Sequence, residues 1–293
     1  MKKIVSLIFC AVVFSACEKL EAEKVDFDVQ AEAGVYHVGD PVNFNFLGNP
    51  DNITFYSGED GSTYENRERV TVEGTPQLEF TSFMQYGAQQ NTLKLLVSTD
   101  FNGLPDENIA NNGTWVDITN RATLSTGKDN TPSGTIDLSE FIVADKPMYF
   151  AFRFQGTQGT TQRTWTIKDL KIENILTDGT ILPVTTITDA GWQQISLLNS
   201  SYKWTNSPNT QLKIQGGPAA SETNDDWIVT KPLKLSSVKP DAGLALKNIT
   251  TRMNSFDYVY NVPGTYTVTF VASNVTSKNE KKVLKQIEIV IEP

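Results

Sequence analysis

Three groups of residues in this chain could carry chemistry. The first is the stretch GWQQISLLNSSYKWTNSPNTQ (191–211), which sets Trp192, Tyr202 and Trp204 among Gln193, Gln194, Asn199, Asn206 and Asn209. Flat apolar faces receive the C–H side of a pyranose and amides hold its hydroxyls, so this composition suits sugar binding. Tyr202 and Trp204 share strand parity, which would place both rings on one face as a platform. The polar loop FMQYGAQQN (83–91), with Tyr86, is a second candidate, and the long loop FNGLPDENIANNG (101–113) could rim the same site. Core packing competes with ligand contact, because tryptophan is usually mostly buried. Trp115, Trp165 and Trp227 lie within strand patterns and are read as core.

The second group is acidic. Glu222, Asp225 and Asp226 cluster in what reads as a loop, and a glycosidase needs two carboxyls roughly 5–10 Å apart across its sugar. Acidic loop residues are mostly solvated, so no catalytic residue is assigned and the chain is read as a non-enzyme. Asp100, Asn102 and Asp106 could offer hard oxygens to a structural calcium ion. They have no defined spacing motif, so the expectation is a plain turn and no cofactor. The chain has one histidine, His37 in VYHVGD, which excludes a metal site built on several histidines. It also leaves no Ser-His-Asp or Cys-His arrangement except one built on His37, which reads as an edge or turn residue.

The third group lies at the N-terminus. Lys2 and Lys3 precede an eleven-residue apolar run, Ile4 to Phe14, followed by Ser15-Ala16-Cys17. A membrane-spanning helix needs about 20 apolar residues, so the run is too short to span but suits a signal peptide. The small pair before Cys17 resembles a bacterial lipobox. That resemblance implies cleavage behind Ala16 and acylation of Cys17, which would be the lipid anchor. Residues 17–24 then read as a tether. The acidic stretch after Cys17 resembles the surface-export signal of Bacteroidota lipoproteins, which implies an outer-membrane lipoprotein at the cell surface. Cys10 would leave with the signal, so the mature chain has no possible intrachain disulfide.

Of 293 residues, 277 remain after residues 1–16, and the formal charge of −9 becomes about −11 without Lys2 and Lys3. An acidic chain without a basic stripe argues against nucleic acid as a partner. Beyond the signal no apolar run approaches spanning length, so membrane contact is expected through the lipid alone.

The elements that must position these groups are strands. Val42, Phe44 and Phe46 alternate with Asn43 and Asn45; Tyr266, Val268, Phe270 and Ala272 alternate with threonines; Ile287, Ile289 and Ile291 alternate with polar residues. Period two is the mark of a half-buried strand, and no stretch carries a helical stripe. Pro263-Gly264 predicts a type II turn. The chain is therefore all-β. Residues 25–72 and 240–293 each hold only three or four strands, too few to cover an apolar face. Together they supply about the seven strands of an immunoglobulin-like sandwich, interrupted in a loop by residues 73–239. That insert repeats short apolar runs between Asn/Gly/Asp/Pro-rich turns, the pattern of a jelly-roll sandwich.

VGDPVNFNFLGNPDNITFYSGEDG (38–61) with YVYNVPGTYTVTFVASN (258–274) resembles a PKD-like domain. LLVSTDFNG (95–103), TWVDIT (114–119), IDLSEF (136–141), MYFAFRF (148–154), WTIKDLKI (165–172) and DDWIVTKPLKL (225–235) resemble the cleaved-adhesin or choice-of-anchor jelly roll, related to galactose-binding-like modules. Together they are similar to a domain-of-unknown-function family of Bacteroidota surface lipoproteins. The resemblance implies association with outer-membrane glycan uptake systems, and so a carbohydrate-binding protein with a polysaccharide or oligosaccharide ligand and uptake proteins as neighbours. The alternative expectation is adhesion or assembly through a protein partner.

Overall fold

The computed structural model describes residues 21–127, 129–206 and 208–293. Cys17, the signal segment 1–16 and the first part of the expected tether lie outside the described residues. The chain is all-β, with sheets arranged as sandwiches, and divides into two compact units. One takes in the described residues up to Arg69 together with Pro240–Pro293; the other is Val70–Lys239.

In chain order the first unit begins with β1 (Phe27–Ala31), β2 (Val35–His37), β3 (Pro41–Gly48) and β4 (Asn52–Tyr56). The second unit holds β5 (Thr75–Gln85), β6 (Leu93–Ser98), β7 (Val116–Asp117), β8 (Thr131–Pro132), β9 (Ile136–Asp137), β10 (Tyr149–Gly156) and β11 (Thr164–Ile175). It continues through β12 (Ile181–Thr186), β13 (Gln193–Leu198), β14 (Gln211–Ile214) and β15 (Asn224–Val229). The chain then returns to the first unit with β16 (Leu244–Lys247), β17 (Ser255–Val259), β18 (Gly264–Val275) and β19 (Glu280–Glu292). Three single 3-10 turns are the helical elements among the described residues.

In the first unit the sheets run β1-β3-β17 and β16-β4-β18-β19-β2. Each sheet takes strands from both terminal segments, and β3 pairs β17 as β4 pairs β18, antiparallel in both cases. The pleat sends Val42, Phe44 and Phe46 inward to meet Phe55, Val268 and Phe270 from the facing sheet. Phe44 and Phe270 pack edge to face at 5.1 Å, a preferred aromatic geometry. Full burial of each such ring contributes about 1.5–3 kcal/mol.

Two expectations are corrected here. Gly264 is not among the glycines with positive φ, so Pro263-Gly264 forms no type II turn. Gly264 opens β18 opposite Ile291, and the Tyr266 ring lies 3.4 Å from where a side chain at 264 would begin. Residues 22–24 of the expected tether are instead held to the first unit. Ala22 is buried and its N–H donates to Asn279 Oδ1 at 2.8 Å. Asn274 Nδ2 reaches the carbonyls of Glu23 and Lys24 at 3.3 Å. His37 ends β2, exposed, with Nδ1 3.8 Å from Asp40.

In the second unit the order is β13-β15-β10-β6-β7 in one sheet. The other is β12-β11-β5-β8, with β14 added to β11 and β9 to β5. Leu78 and Phe80 of β5, Phe150, Phe152 and Phe154 of β10, and Ile167 and Ile172 of β11 fill the space between them. β15 is buried on both faces. Ile228 enters this core, while Trp227 and Val229 join Phe101, Ile109 and Tyr149 in a second cluster on the outer face. β5 is a long strand that alternates throughout yet reads as no strand by composition, because Ser82 and five other polar residues interrupt it.

Candidate functional site

The sugar platform expected at 191–211 is not present. Trp204 is 0% exposed, its indole N–H donates to the Asp226 carbonyl at 3.2 Å, and its ring lies 6.0 Å from Phe152. It is core. Residues 202–204 belong to no strand, so the parity that aligned Tyr202 with Trp204 has no meaning there. Trp192 is half-buried against the same Phe152, and its N–H donates to the Ile187 carbonyl at 2.8 Å. Tyr202 is half-exposed in a bend closed onto Asn199 at 3.1 Å. The structure thus packs both tryptophans against Phe152, Trp204 wholly buried and Trp192 in part.

The acidic group separates as well. Asp225 and Asp226 lie in strand β15 rather than in a loop, and neighbouring strand residues face opposite sides. Asp225 points outward, where Arg153 clasps it through Nε at 2.9 Å and Nη2 at 2.5 Å. Asp226 points inward and is fully buried. Burial pushes its carboxyl up to about 7, and the charge of Asp225 adds to that shift. Glu222 is exposed. Asp225 and Asp226 therefore cannot flank one sugar.

Asp100, Asn102 and Asp106 serve their own loop. Asp100 accepts from the Thr114 amide at 2.6 Å, the Thr114 hydroxyl at 2.8 Å and the Ser98 hydroxyl at 2.8 Å. The Thr114 amide bond leads in holding its carboxyl below the usual range. Asn102 accepts from the Leu104 amide at 2.9 Å, and Asp106 from the Asn108 amide and Asn112 Nδ2, both at 2.8 Å. The loop folds over the Trp115–Trp227 cluster, and Trp115 donates to the Ile109 carbonyl at 2.8 Å.

A concave site does exist in the second unit, at the end where β5 finishes and β6 begins. It is a cavity of about 480 Å³, within the range of small-molecule sites. Met84, Leu93 and Trp165, all buried, supply its apolar walls. Gln89, Gln90, Asn91, Lys94, Asp117 and Thr126 supply the polar groups. Lys94 and Asp117 stand 3.4 Å apart. Partial burial disfavours the Asp117 charge, but hydrogen bonds from Thr119 and Lys94 outweigh it and hold the carboxyl below its ordinary value. The Trp165 indole N–H is engaged by Thr92 Oγ1 at 2.9 Å, so the ring offers surface rather than a donor.

Loop 86–91 shapes this cavity and is held rigidly. Arg163 donates to the carbonyls of Gln89 and Tyr86, both at 2.9 Å. The Gln89 side chain bonds Thr157 and Thr160 across the loop. Tyr86, Gly87 and Asn91 all adopt left-handed φ, at 61°, 59° and 54°. For a tyrosine that conformation is uncommon and costs energy. Tyr86 itself is exposed and projects beside the cavity without lining it. A side chain at Gly87 would collide with the Thr161 carbonyl. Gly87→Ala should therefore destabilise the unit by about 2 kcal/mol; urea unfolding would measure it, and a cost near zero would mean the loop is not held as described.

The fold and cavity define a class: an all-β sandwich protein with a polar pocket at a sheet end. Within it, the chain belongs to the family described as Domain of unknown function (DUF5017), whose model matches residues 16–192. Every residue lining the pocket falls inside that stretch. No curated protein matches the chain.

Proposed function

We propose that this chain is a non-catalytic, lipid-anchored surface protein that captures glycans. In this reading a PKD-like sandwich carries the jelly-roll unit, and the acyl group on Cys17 holds both at the outer membrane of a Bacteroidota cell, beside an uptake system. The observation that carries it is the end pocket. Amides, a hydroxyl and the Lys94–Asp117 pair ring a floor of Met84, Leu93 and Trp165. Such a mixture recognises hydroxyl-rich ligands, with the polar groups fixing orientation and the floor taking C–H surface. Many weak copies on one membrane would add avidity. Among the described residues no helix is long and apolar enough to cross a membrane.

The test is binding of the full chain to a polysaccharide and oligosaccharide panel by calorimetry, with Gln90→Ala and Asp117→Ala variants. Loss of a side chain that hydrogen-bonds the sugar should weaken binding about tenfold, roughly 1.4 kcal/mol; the thermal melt should be nearly unchanged in Gln90→Ala and somewhat lowered in Asp117→Ala, which loses its bonds from Thr119. Binding unaffected by both variants would move the site elsewhere; no binding to any glycan would end this reading. A second reading, adhesion through a protein partner, rests on a larger cavity of about 1060 Å³ in the same unit, where Ile142 and Val143 are exposed beside Phe141, Met148 and Leu235.

A further inference from the structure

We propose that the inner face of β15 binds a hard divalent cation of the calcium type through Asp226, Asn224 and Ser196. Asp226 and Asn224 are both 0% exposed. Both carboxylate oxygens of Asp226 and the side-chain oxygen of Asn224 are buried without a hydrogen-bond partner. Residues two apart on a strand share a face, so these oxygens belong to one neighbourhood. Such orphaned acceptors are rare in native proteins, because each keeps its full desolvation penalty.

The surrounding groups make the neighbourhood one of acceptors. Asn224 uses its Nδ2 on the Tyr202 carbonyl at 3.0 Å, which leaves only its oxygen free. Ser196 is the register partner of Asp226 on β13, and its hydroxyl donates to the Leu198 carbonyl at 3.3 Å, leaving its lone pairs. The partner on the other side is Phe154, which has nothing to offer. Trp204 donates to the backbone carbonyl of Asp226 instead of its carboxylate. Arg153 is bound to Asp225 on the opposite face of the sheet.

Three acceptor oxygens with no protein donor among them are met together by a cation. One carboxylate and two neutral oxygens, with no nitrogen or sulfur, select a hard ion. Calcium takes six to eight oxygens in loose geometry and completes its shell with water, whereas magnesium demands near-octahedral ligands. β13 is the edge strand of its sheet and Ser196 is half-buried, so the site lies one strand in from an edge through which an ion can enter. It shares no residue with the end pocket and does not depend on glycan binding.

The experiment uses the full chain stripped with a chelator at pH 8. Calcium should raise the melting temperature by about 5 °C at saturation, and magnesium by much less. Terbium in place of calcium should give luminescence sensitised by Trp204, displaced by excess calcium. Asp226→Asn keeps the shape of the side chain and should abolish both signals, while Asn224→Ala should weaken calcium binding about tenfold. No calcium shift and no sensitised emission in the wild-type chain, or equal responses in Asp226→Asn, would overturn the proposal.

Discussion

Trp204→Ala should destabilise the second unit by about 3–5 kcal/mol, the range for removing a large buried aromatic side chain. The ring has no exposed surface, it packs against Phe152, and its N–H is held by the Asp226 carbonyl. Truncation leaves a void between two sheets that cannot close together, because the ladders of β10, β11 and β15 hold their spacing. It also leaves a buried carbonyl without its donor. For a unit of this size the melting temperature should fall by roughly 10 °C. Thermal and urea unfolding followed by near-ultraviolet circular dichroism would measure both. A cost below about 1 kcal/mol would mean that the ring is accessible and would restore it as a ligand surface. Any glycan binding lost in this variant should follow the fraction unfolded and return on cooling.

Asp225→Ala should cost about 2–3 kcal/mol. The carboxylate takes two bonds from Arg153, and the guanidinium lies 5.0 Å from the centre of the Trp227 ring. The side chains of Arg153 and Asp225 are 23% and 11% exposed. Removing one partner of a buried pair typically costs 3–5 kcal/mol; the partial exposure of Arg153 lets water take over some of the loss and lowers that figure. Arg153→Met should cost less, since a long side chain still covers Trp227 and Gln155 Nε2 remains 3.3 Å from Asp225. Arg153→Met with Asp225→Leu should recover much of the loss, because apolar replacement of both charges removes the desolvation penalty. A double-mutant cycle by urea unfolding would give the coupling; a value near zero would show the pair to be idle.

Strand character was legible in the residues because the pleat is local. Val42, Phe44 and Phe46 turn inward while their neighbours do not, and Ile289 and Ile291 do the same in β19. The same rule misled where no strand exists. Tyr202 and Trp204 lie in a bend, so a spacing of two placed them on no common face. It was passed over where it held. The acidic start of β15 looks like a loop, yet the ladder with β10 runs from Asn224 to Val229 and sends Asp225 and Asp226 apart. Tyr86 could be singled out by composition, but not its left-handed backbone or its position outside the cavity.

The sequence by itself determined the all-β class, because alternation needs only a strand and one buried face. It also determined the kinds of chemistry within reach: one histidine, acidic surfaces, and amides among aromatic rings. Tertiary structure alone decided which groups meet. The end pocket joins Met84 and residues 89–94 to Asp117, Thr126 and Trp165, and β3 finds β17 more than two hundred residues away. Such contacts come from register and loop closure between distant strands, which no local spacing encodes. For the same reason only the fold could show that Trp204, which looked ready for a sugar, is buried between the sheets and that Trp192 is half-buried beside it.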